Sequence, residues 1–569
     1  MTYRSFLSGV AVAALAASAG PALAERGADG QLNVLYWQAP STLNPYLSSG
    51  NKDVHAASVV LEPLVNINSS GELIPLLASE VPSLENGGIS EDLKTVTWHL
   101  REGVTWSDGT PFTSADVKFT ADYCMHPEGG CAQGARFEGI ESIETPDDLT
   151  VVVHYTEPRP YPFSAFTGSE SPIIQKAQFE SCIGTRASAC TEANFGPVGT
   201  GAFKVASFKT NDVVTFEANE NYRDPALPHF QTVMLKGGGD PAAAARAVLE
   251  TGEFDFAWNI QLAPEVLASM AGAGKGEVLT GYGTAFEHLV LNTTDPSPSL
   301  PEGERATVKH PHPILGDFNV RKALSLAIDR QLLNEIGYGD TGKPTCNYIN
   351  APAIYASDNT ECMVQDIEAA KALLDAAGWV PGPDGVRVKD GQRLRLLYQT
   401  TVNAVRQDFQ ALIKQWWQEI GVETELKTVD ASVFFGGDAG SPDTYQKFYA
   451  DVEMYTSTYD GTNPEASLAQ RTCAKIPSPE RQWQGENMGR FCNPEYDALV
   501  GDLGNTADIN ERARIVIQLN DMLTKDSMHL LPLVYRASVS VKSNGLDIVE
   551  ELNPWNSEMW NIAEWRRAQ

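Results

Sequence analysis

Apolar and polar residues alternate in several short runs of the N-terminal part of the chain, and this period of two predicts β-strands. The runs are rich in β-branched and aromatic residues and are bounded by turn-forming residues. They comprise residues 32–37, 95–101 and 149–155. A helix is predicted over residues 114–124, because Thr113 or Ser114 can cap its start and Asp116 places a negative charge in its first turn.

The second half of the chain follows a helical period instead. Asp317 is placed to cap one helix and Asn403 another, and an apolar stripe at helical spacing follows each of them. In the second of these helices the stripe consists of Val405, Phe409, Leu412, Ile413, Trp416 and Ile420. Gly421 should end this helix, and residues 422–426 should return as a strand. Helices that alternate with strands in this way predict an α/β fold, with the stripes buried as core.

The length of the chain bounds the number of hydrophobic cores. Single cores stop growing at roughly 250 to 300 residues, whereas this chain has 569 residues. Two or three lobes are therefore expected. Hydrophobic residues make up 42% of the chain and charged residues 20%, which is typical of a folded globular protein.

The N-terminus carries the pattern of a secretory signal peptide. Arg4 precedes an apolar run over residues 6–17, and the small-residue sequence Ala22-Leu23-Ala24 follows. We therefore predict that residues 1–24 are removed and that the mature protein is soluble in the periplasm. The alternative, a single-pass anchor, is disfavoured because the run is shorter than the ~20 apolar residues that span a bilayer. No cysteine follows the cleavage site directly, so a lipid anchor is not indicated.

Eight cysteines fall into four pairs that are close in sequence. An even number of cysteines at local spacing in an exported chain favours disulfides. The predicted pairs are Cys124 with Cys131, Cys182 with Cys190, Cys346 with Cys362, and Cys473 with Cys492. A zinc site is the weaker alternative, because no C-x-x-C spacing occurs and His126 stands alone beside its cysteine.

The net charge argues against two classes of partner. It is −31 for the whole chain, and removing residues 1–24 removes only Arg4, which leaves −32. Such a protein repels the phosphate backbone of nucleic acids and anionic lipid surfaces. A cationic or zwitterionic ligand would be attracted, although most of the acidic residues can equally form a solvated surface.

Sequence motifs give no support for an enzyme. No G-x-S-x-G elbow, H-E-x-x-H helix, Walker loop or G-x-G-x-x-G turn is present. We predict no cofactor and no metal. The 73 acidic residues leave open one alternative, a secreted hydrolase that uses a pair of carboxylates.

A series of fragments in a fixed order resembles one protein family, and the resemblance covers nearly the whole mature chain. The fragments include TLNPY at Thr42, LEPLV at Leu61, TVTWHLREGVTWSDGTPFTSADVKFT at Thr95, GPVGTGAFKV at Gly196, NYRDPALPHF at Asn221, FNVRKALSLAIDR at Phe318 and CNPEYDALV at Cys492. They are similar to the extracytoplasmic solute-binding proteins of family 5, which serve ABC importers of dipeptides, oligopeptides and nickel chelates. Because the longest fragment combines a strand, a tight turn and a capped helix, it reports the fold rather than a ligand site.

The resemblance implies an α/β clamshell of two lobes with an extra domain. The first lobe would be discontinuous, with residues 25–58, 198–288 and 530–569, and residues 59–197 would form the extra domain inserted in it. Residues 289–529 would form the second lobe. The chain would then cross between the lobes near Leu291 and near Leu531, and these two crossovers would form a hinge that closes over the ligand.

The implied function is that of a monomeric receptor without catalytic activity. It would capture a peptide or a similar amine-bearing solute and deliver it to the membrane permease of an ABC importer. Within the same class of receptor, an opine, an oligosaccharide or a metal chelate is the alternative ligand.

The resemblance also implies one charged contact with the ligand. In peptide-binding relatives an aspartate shortly before a proline pairs with the terminal ammonium of the peptide, and counting back from Pro464 places Asp460 at that position. The alternative is a turn aspartate that caps its own backbone before Gly461. Ser457 departs from the pattern, because relatives often carry tryptophan there, and Tyr455 or Tyr459 would have to supply the aromatic wall.

Three further candidates come from the expected position of their elements. Tyr36 and Trp37 end the opening strand, where relatives present residues to the cleft, but neighbours on a strand face opposite ways and one of the two is expected in the core. Arg406, at the start of its helix, is placed to meet a ligand carboxylate, with a solvated side chain as the alternative.

Overall fold

The computed structural model describes residues 26–568. The predicted signal peptide, residues 1–24, lies outside these residues. Two mixed β-sheets, each with helices packed against it, form the body of the protein. Within the described residues, no helix has both the length and the apolar character that a membrane span requires.

The first sheet has seven strands and surrounds the opening strand of the mature chain. Gln31–Tyr36 lies at its centre and pairs in parallel with Phe256–Trp258 on one side and Thr232–Gly237 on the other. In spatial order the strands are Gly276–Gly281, Ser538–Ser543, Phe256–Trp258, Gln31–Tyr36, Thr232–Gly237, Val213–Ala218 and Phe203–Lys209. We refer to the residues packed around this sheet as the first lobe.

The second sheet has six strands and is built from later parts of the chain. In spatial order they are Gly342–Pro344, Leu530–Arg536, Phe286–Leu291, Val452–Ser457, Arg395–Thr401 and Glu423–Val429. The residues around this sheet are called the second lobe. Its core contains the predicted stripe of the helix Ala404–Glu419, in which Phe409 and Ile413 are fully buried, Trp416 is buried and Leu412 is partly buried. The expectation that this stripe is core is thus confirmed.

Smaller sheets complete the fold. A three-stranded sheet joins Thr95–His99, Thr150–Tyr155 and Ile140–Asp147, and it confirms two of the predicted strands. Two further sheets pair Val65–Ile67 with Leu73–Pro75 and Leu546–Asp547 with Arg566–Arg567, and a third has the order Val380–Pro381, Arg387–Lys389, Gln392–Arg393. The sheet that contains Thr95–His99 belongs to a separate hydrophobic core built from residues between Tyr46 and Ala193. That residues 59–197 form one extra domain stays a prediction.

The α-helices begin where the sequence places caps. Thr113 and Asp116 form a capping box at Ser114–Met125, and Asn403 accepts a hydrogen bond from the Arg406 amide at 3.0 Å. Gly421 adopts a φ of 86° directly after the second of these helices, as its predicted stop requires. The α-helices are Asn51–Ser58, Ser114–Met125, Lys176–Phe179, Thr191–Phe195, Pro241–Leu249, Pro264–Ala271, Phe318–Leu326, Arg330–Gly337, Ile367–Ala376, Ala404–Glu419, Ala431–Phe434, Glu465–Ala469, Pro494–Asn505 and Ile509–Asp521.

The chain passes between the two sheets at positions that differ from the prediction. Leu291 and Leu531, near which we expected the crossovers, both lie inside strands of the second sheet. The chain leaves the first sheet after Gly281 and returns to it at Ser538. Residues 286–288 and 530–536 therefore belong to the second lobe and not to the first. Their place is decided by long-range strand pairing, which local sequence patterns do not reveal.

The four predicted disulfides are all present. They join Cys124 to Cys131, Cys182 to Cys190, Cys346 to Cys362, and Cys473 to Cys492. Each disulfide closes a local loop. Together the four leave no free cysteine among residues 26–568.

Candidate ligand-binding cleft

A cavity lies between the two lobes. The first lobe contributes Trp258 and Asn259, which follow or end one of its strands, and Ser538. The second lobe contributes the end of the strand Val452–Ser457 and the loop behind it, and Gln133 and Glu170 reach the cavity from the predicted extra domain. Ligand sites commonly occur in such clefts between domains.

Hydrogen bonds join the lobes across this cavity, so the structure shows a closed cleft. The Asn51 side chain donates to the Thr458 hydroxyl at 2.8 Å, and the Gly461 amide donates to the Trp555 carbonyl at 2.6 Å. A ligand in this cavity would contact both lobes at once.

Asp460 is held by residues from the other side of the cleft. Its Oδ2 accepts hydrogen bonds from the Ser169 hydroxyl at 2.9 Å and from the Glu170 amide at 3.2 Å. Among the described residues no donor reaches Oδ1, and the side chain lines the cavity. Burial raises the pKa of Asp460 even though Arg136 lies nearby. The alternative, in which Asp460 caps its own turn, is not what the structure shows.

Arg406 lines the cavity but already has a carboxylate partner. Its Nε donates to Glu287 at 2.8 Å, and both side chains are almost fully buried. Although burial alone would raise it, the pKa of Glu287 stays below its ordinary value because Arg406 lies beside it. The expectation of a solvated Arg406 is therefore wrong. Glu287 lies 119 positions earlier in the sequence, so no local pattern indicated this pair.

Tyr36 and Trp37 support the cavity wall from behind and do not line it. The Tyr36 ring stacks on Trp258 at 4.6 Å, and Trp258 is the residue that faces the cavity. The Trp37 indole donates to the Asn259 carbonyl at 2.8 Å, and its ring packs in the core of the first lobe. We correct the predicted role of both residues accordingly, since the strand ends one layer below the cavity.

Tyr455 and Tyr459 both line the cavity. The Tyr459 hydroxyl donates to the Ala351 carbonyl at 2.6 Å, so its proton is not available to a ligand. The Tyr455 ring lies 5.4 Å from Tyr445 and 6.2 Å from Phe435, and all three rings face the same cavity. Ser457 also lines the cavity. An aromatic wall is thus present although the tryptophan of the relatives is absent.

Five charged residues that the sequence analysis missed also line the cavity. They are Glu170, Arg471, Glu486, Arg536 and Glu558. Glu170 pairs with Arg136. Among the described residues the other four form no ion pair, whereas Arg406 pairs with Glu287. Burial raises the pKa of both Glu486 and Glu558 to about 7. No period or motif singles these residues out, and only the flanking cysteines mark the loop that carries Glu486.

Charged groups of both signs line the cavity. Among residues 26–568 no group of three or more His, Cys, Asp or Glu side chains is arranged to hold a metal. Both kinds of charge gain from partners of opposite sign once water is excluded.

Comparison with known proteins identifies the family. The model of the bacterial extracellular solute-binding proteins, family 5 Middle, matches residues 72–475. The chain belongs to this family. Family 5 relatives include Protein XP55 of Streptomyces lividans, which is 28% identical over 488 residues that cover 82% of this chain and 81% of the relative. The glutathione-binding protein GsiB of Salmonella typhimurium is 24% identical over 512 residues, which cover 89% of each chain.

Solved structures confirm the predicted fold. The oligopeptide-binding protein AppA of Bacillus subtilis, in complex with a nonapeptide, matches with a TM-score of 0.80 at 20% identity, over 96% of this chain and all of AppA. NikZ of Campylobacter jejuni, in complex with Ni(L-His), matches with a TM-score of 0.78 at 22% identity, over 95% of this chain and 99% of NikZ. At these identities the similarity shows the α/β fold of the family 5 binding proteins.

Proposed function

We propose that this chain is the periplasmic receptor of an ABC importer and that it captures a short peptide or a similar amine-bearing solute. The observation that carries the proposal is the free Oδ1 of Asp460 in an enclosed cavity that also holds Arg471 and Arg536 without carboxylate partners. An ammonium on Asp460 and a carboxylate on a guanidinium would complete these groups. The receptor then closes over the solute and presents it to the permease without chemical change.

Family 5 relatives support this class of ligand. Several Brucella relatives, 26% identical over 467 residues, are named putative ABC transporter peptide-binding proteins, and GsiB is named a glutathione-binding protein. Opines and chelates are the alternatives to be tested beside peptides.

The test compares peptides that have a free or an acetylated N-terminus. We expect isothermal titration calorimetry on the mature protein to show saturable binding of free peptides, and acetylation to weaken it by roughly 30-fold or more, as loss of one partner in a buried charged contact costs about 2 to 5 kcal/mol. The variant Asp460→Asn should lose this discrimination. Asp358→Asn, which changes an exposed carboxylate, is the matched control.

Three outcomes would contradict the proposal. Equal affinity for free and acetylated peptides would remove the role of Asp460. Binding of an opine or a chelate but of no peptide would assign another ligand. Release of hydrolysis products would favour the secreted hydrolase, which mass spectrometry of the titration mixture detects directly.

A further inference from the structure

Glu486 is carried on a loop that is fastened at its base. The disulfide between Cys473 and Cys492 closes this loop. Within it, the Asn487 side chain donates to the carbonyls of Arg471 and Thr472 at 2.8 and 2.9 Å. The Arg471 guanidinium also donates to the main-chain carbonyl of Glu486. These bonds fix the main chain that carries Glu486, and the Glu486 side chain lines the cavity.

Aromatic rings stand beside this carboxyl group. Phe435, Tyr445 and Tyr455 line the same cavity, with ring centroids 5.4 to 6.2 Å apart. Burial raises the pKa of Tyr445, and the nearby carboxyl group of Glu486 is the next contribution to this rise. Ser49 of the first lobe meets the Tyr445 hydroxyl across the cleft. A cation over an aromatic face gains about 0.5 to 2 kcal/mol, most where water is excluded.

The carboxyl group of Glu486 has no cationic partner of its own. Its Oε1 is buried and forms no hydrogen bond with any described residue. Arg471 is the nearby cation, but its guanidinium lies over the Tyr348 ring at 5.3 Å and bonds the main chain of Glu486, not its carboxyl group. Burial outweighs both the hydrogen bond with the Ser49 side chain and the attraction of Arg471, and the pKa of Glu486 rises to about 7. An added cation would restore the charged form.

We propose that Glu486, together with Phe435, Tyr445 and Tyr455, forms a subsite for a cationic side chain of the ligand, separate from the ammonium contact at Asp460. The inference rests on the proposed function and names its ligand class as short peptides that contain arginine or lysine. A planar guanidinium can stack on the rings and direct two N–H groups at the carboxylate. Arg471 remains available to bind a carboxylate of the ligand. The charge of Arg471 and the charge of the bound cationic side chain would then each have a partner of opposite sign.

The test uses peptides in which arginine is replaced by citrulline, which keeps the shape of the side chain but removes its charge. Each position of a tripeptide is scanned by isothermal titration calorimetry at pH 7 in two buffers of different ionisation enthalpy. At one position we expect arginine to bind about tenfold or more tightly than citrulline. Binding of the arginine peptide should also release protons, since the cation lowers the pKa of Glu486, whereas the citrulline peptide should release fewer.

The variant Glu486→Gln should abolish both the preference and the additional proton release. It should still bind the citrulline peptide, which shows that the variant is folded. Glu480→Gln removes an exposed carboxylate from the same loop and should keep both effects. Peptide binding without any preference for arginine, or a preference that survives in Glu486→Gln, would overturn the subsite and leave the proposed function intact. Failure of all peptides to bind would overturn both.

Discussion

An ion pair between Arg159 and Glu465 joins the two sides of the closed cleft away from the ligand cavity. Arg159 belongs to the predicted extra domain and Glu465 begins a helix of the second lobe, with 2.6 Å between Nη1 and Oε1. Their side chains are 18% and 7% exposed. We expect this pair to break when the cleft opens, so replacing Arg159 by glutamine should weaken ligand binding although Arg159 does not line the ligand cavity.

The magnitude follows from the surroundings of the pair. Exposed ion pairs contribute about 0 to 1 kcal/mol, and leaving a buried charge without a partner costs about 3 to 5 kcal/mol. Glu465 keeps a second partner, Arg512, at 3.0 Å. We therefore expect Arg159→Gln to make the free energy of closing the cleft about 1 to 2 kcal/mol less favourable, which raises Kd by about 5- to 30-fold.

Stopped-flow kinetics can attribute this loss to closure. The dissociation rate should carry most of the change, because the encounter with the open cleft does not involve Arg159. Arg514→Gln breaks an exposed pair with Glu511 on the helix Ile509–Asp521 and should leave both rates unchanged. If Arg159→Gln bound the same peptide with an unchanged Kd and dissociation rate, the reasoning that this pair holds the cleft shut would be refuted.

Three further predictions concern charge and loop closure. Glu287→Gln leaves the Arg406 guanidinium buried without its carboxylate, and differential scanning calorimetry should show a fall in melting temperature equivalent to about 3 to 5 kcal/mol. The pKa of Glu558 in the folded protein is about 7, above its ordinary value of 4.5, so the free energy of unfolding should fall as pH rises from 4.5 to 7. As pH rises from 5 to 8, the free energy of unfolding of Glu558→Gln should increase by roughly 2 to 4 kcal/mol relative to that of the unmodified protein. The same difference in melting temperature between the two proteins at pH 5 and at pH 8 would contradict this. Replacing Cys473 and Cys492 by serine should reduce the arginine preference more than it reduces binding of citrulline peptides in the same titration.

Local patterns predicted several elements of the fold. The helix Ala404–Glu419 begins at its predicted cap and ends before Gly421, and the strand Thr150–Tyr155 lies where the alternation placed it. These capping and alternation signals depend on only a few neighbouring residues, so they predict an element without knowledge of its tertiary contacts. The crossovers were misplaced for the opposite reason, because membership of Leu530–Arg536 in the second sheet depends on pairing with Phe286–Leu291.

The ligand site was less predictable than the fold. Asp460 could be found from its distance to Pro464, and the structure places it on the cavity wall. Tyr36 and Trp37 were assigned to the cavity from the end of their strand, but Trp258 and Asn259 from the neighbouring strand cover them. Glu486 and Glu558 lie in irregular segments. Both residues were missed because they are distinguished by the lack of an ion-pair partner among the described residues, and only the folded structure shows this.

If Glu486 binds a cationic side chain as proposed, the loop closed by Cys473 and Cys492 would make the choice of ligand depend on the compartment in which the chain folds. In the reducing cytoplasm this bond does not persist, and the loop that carries Glu486 would lose its covalent closure. A precursor that awaits export would then compete only weakly for the basic peptides produced by intracellular proteolysis. Full selectivity for nutrients would be acquired after translocation, when oxidation completes the loop.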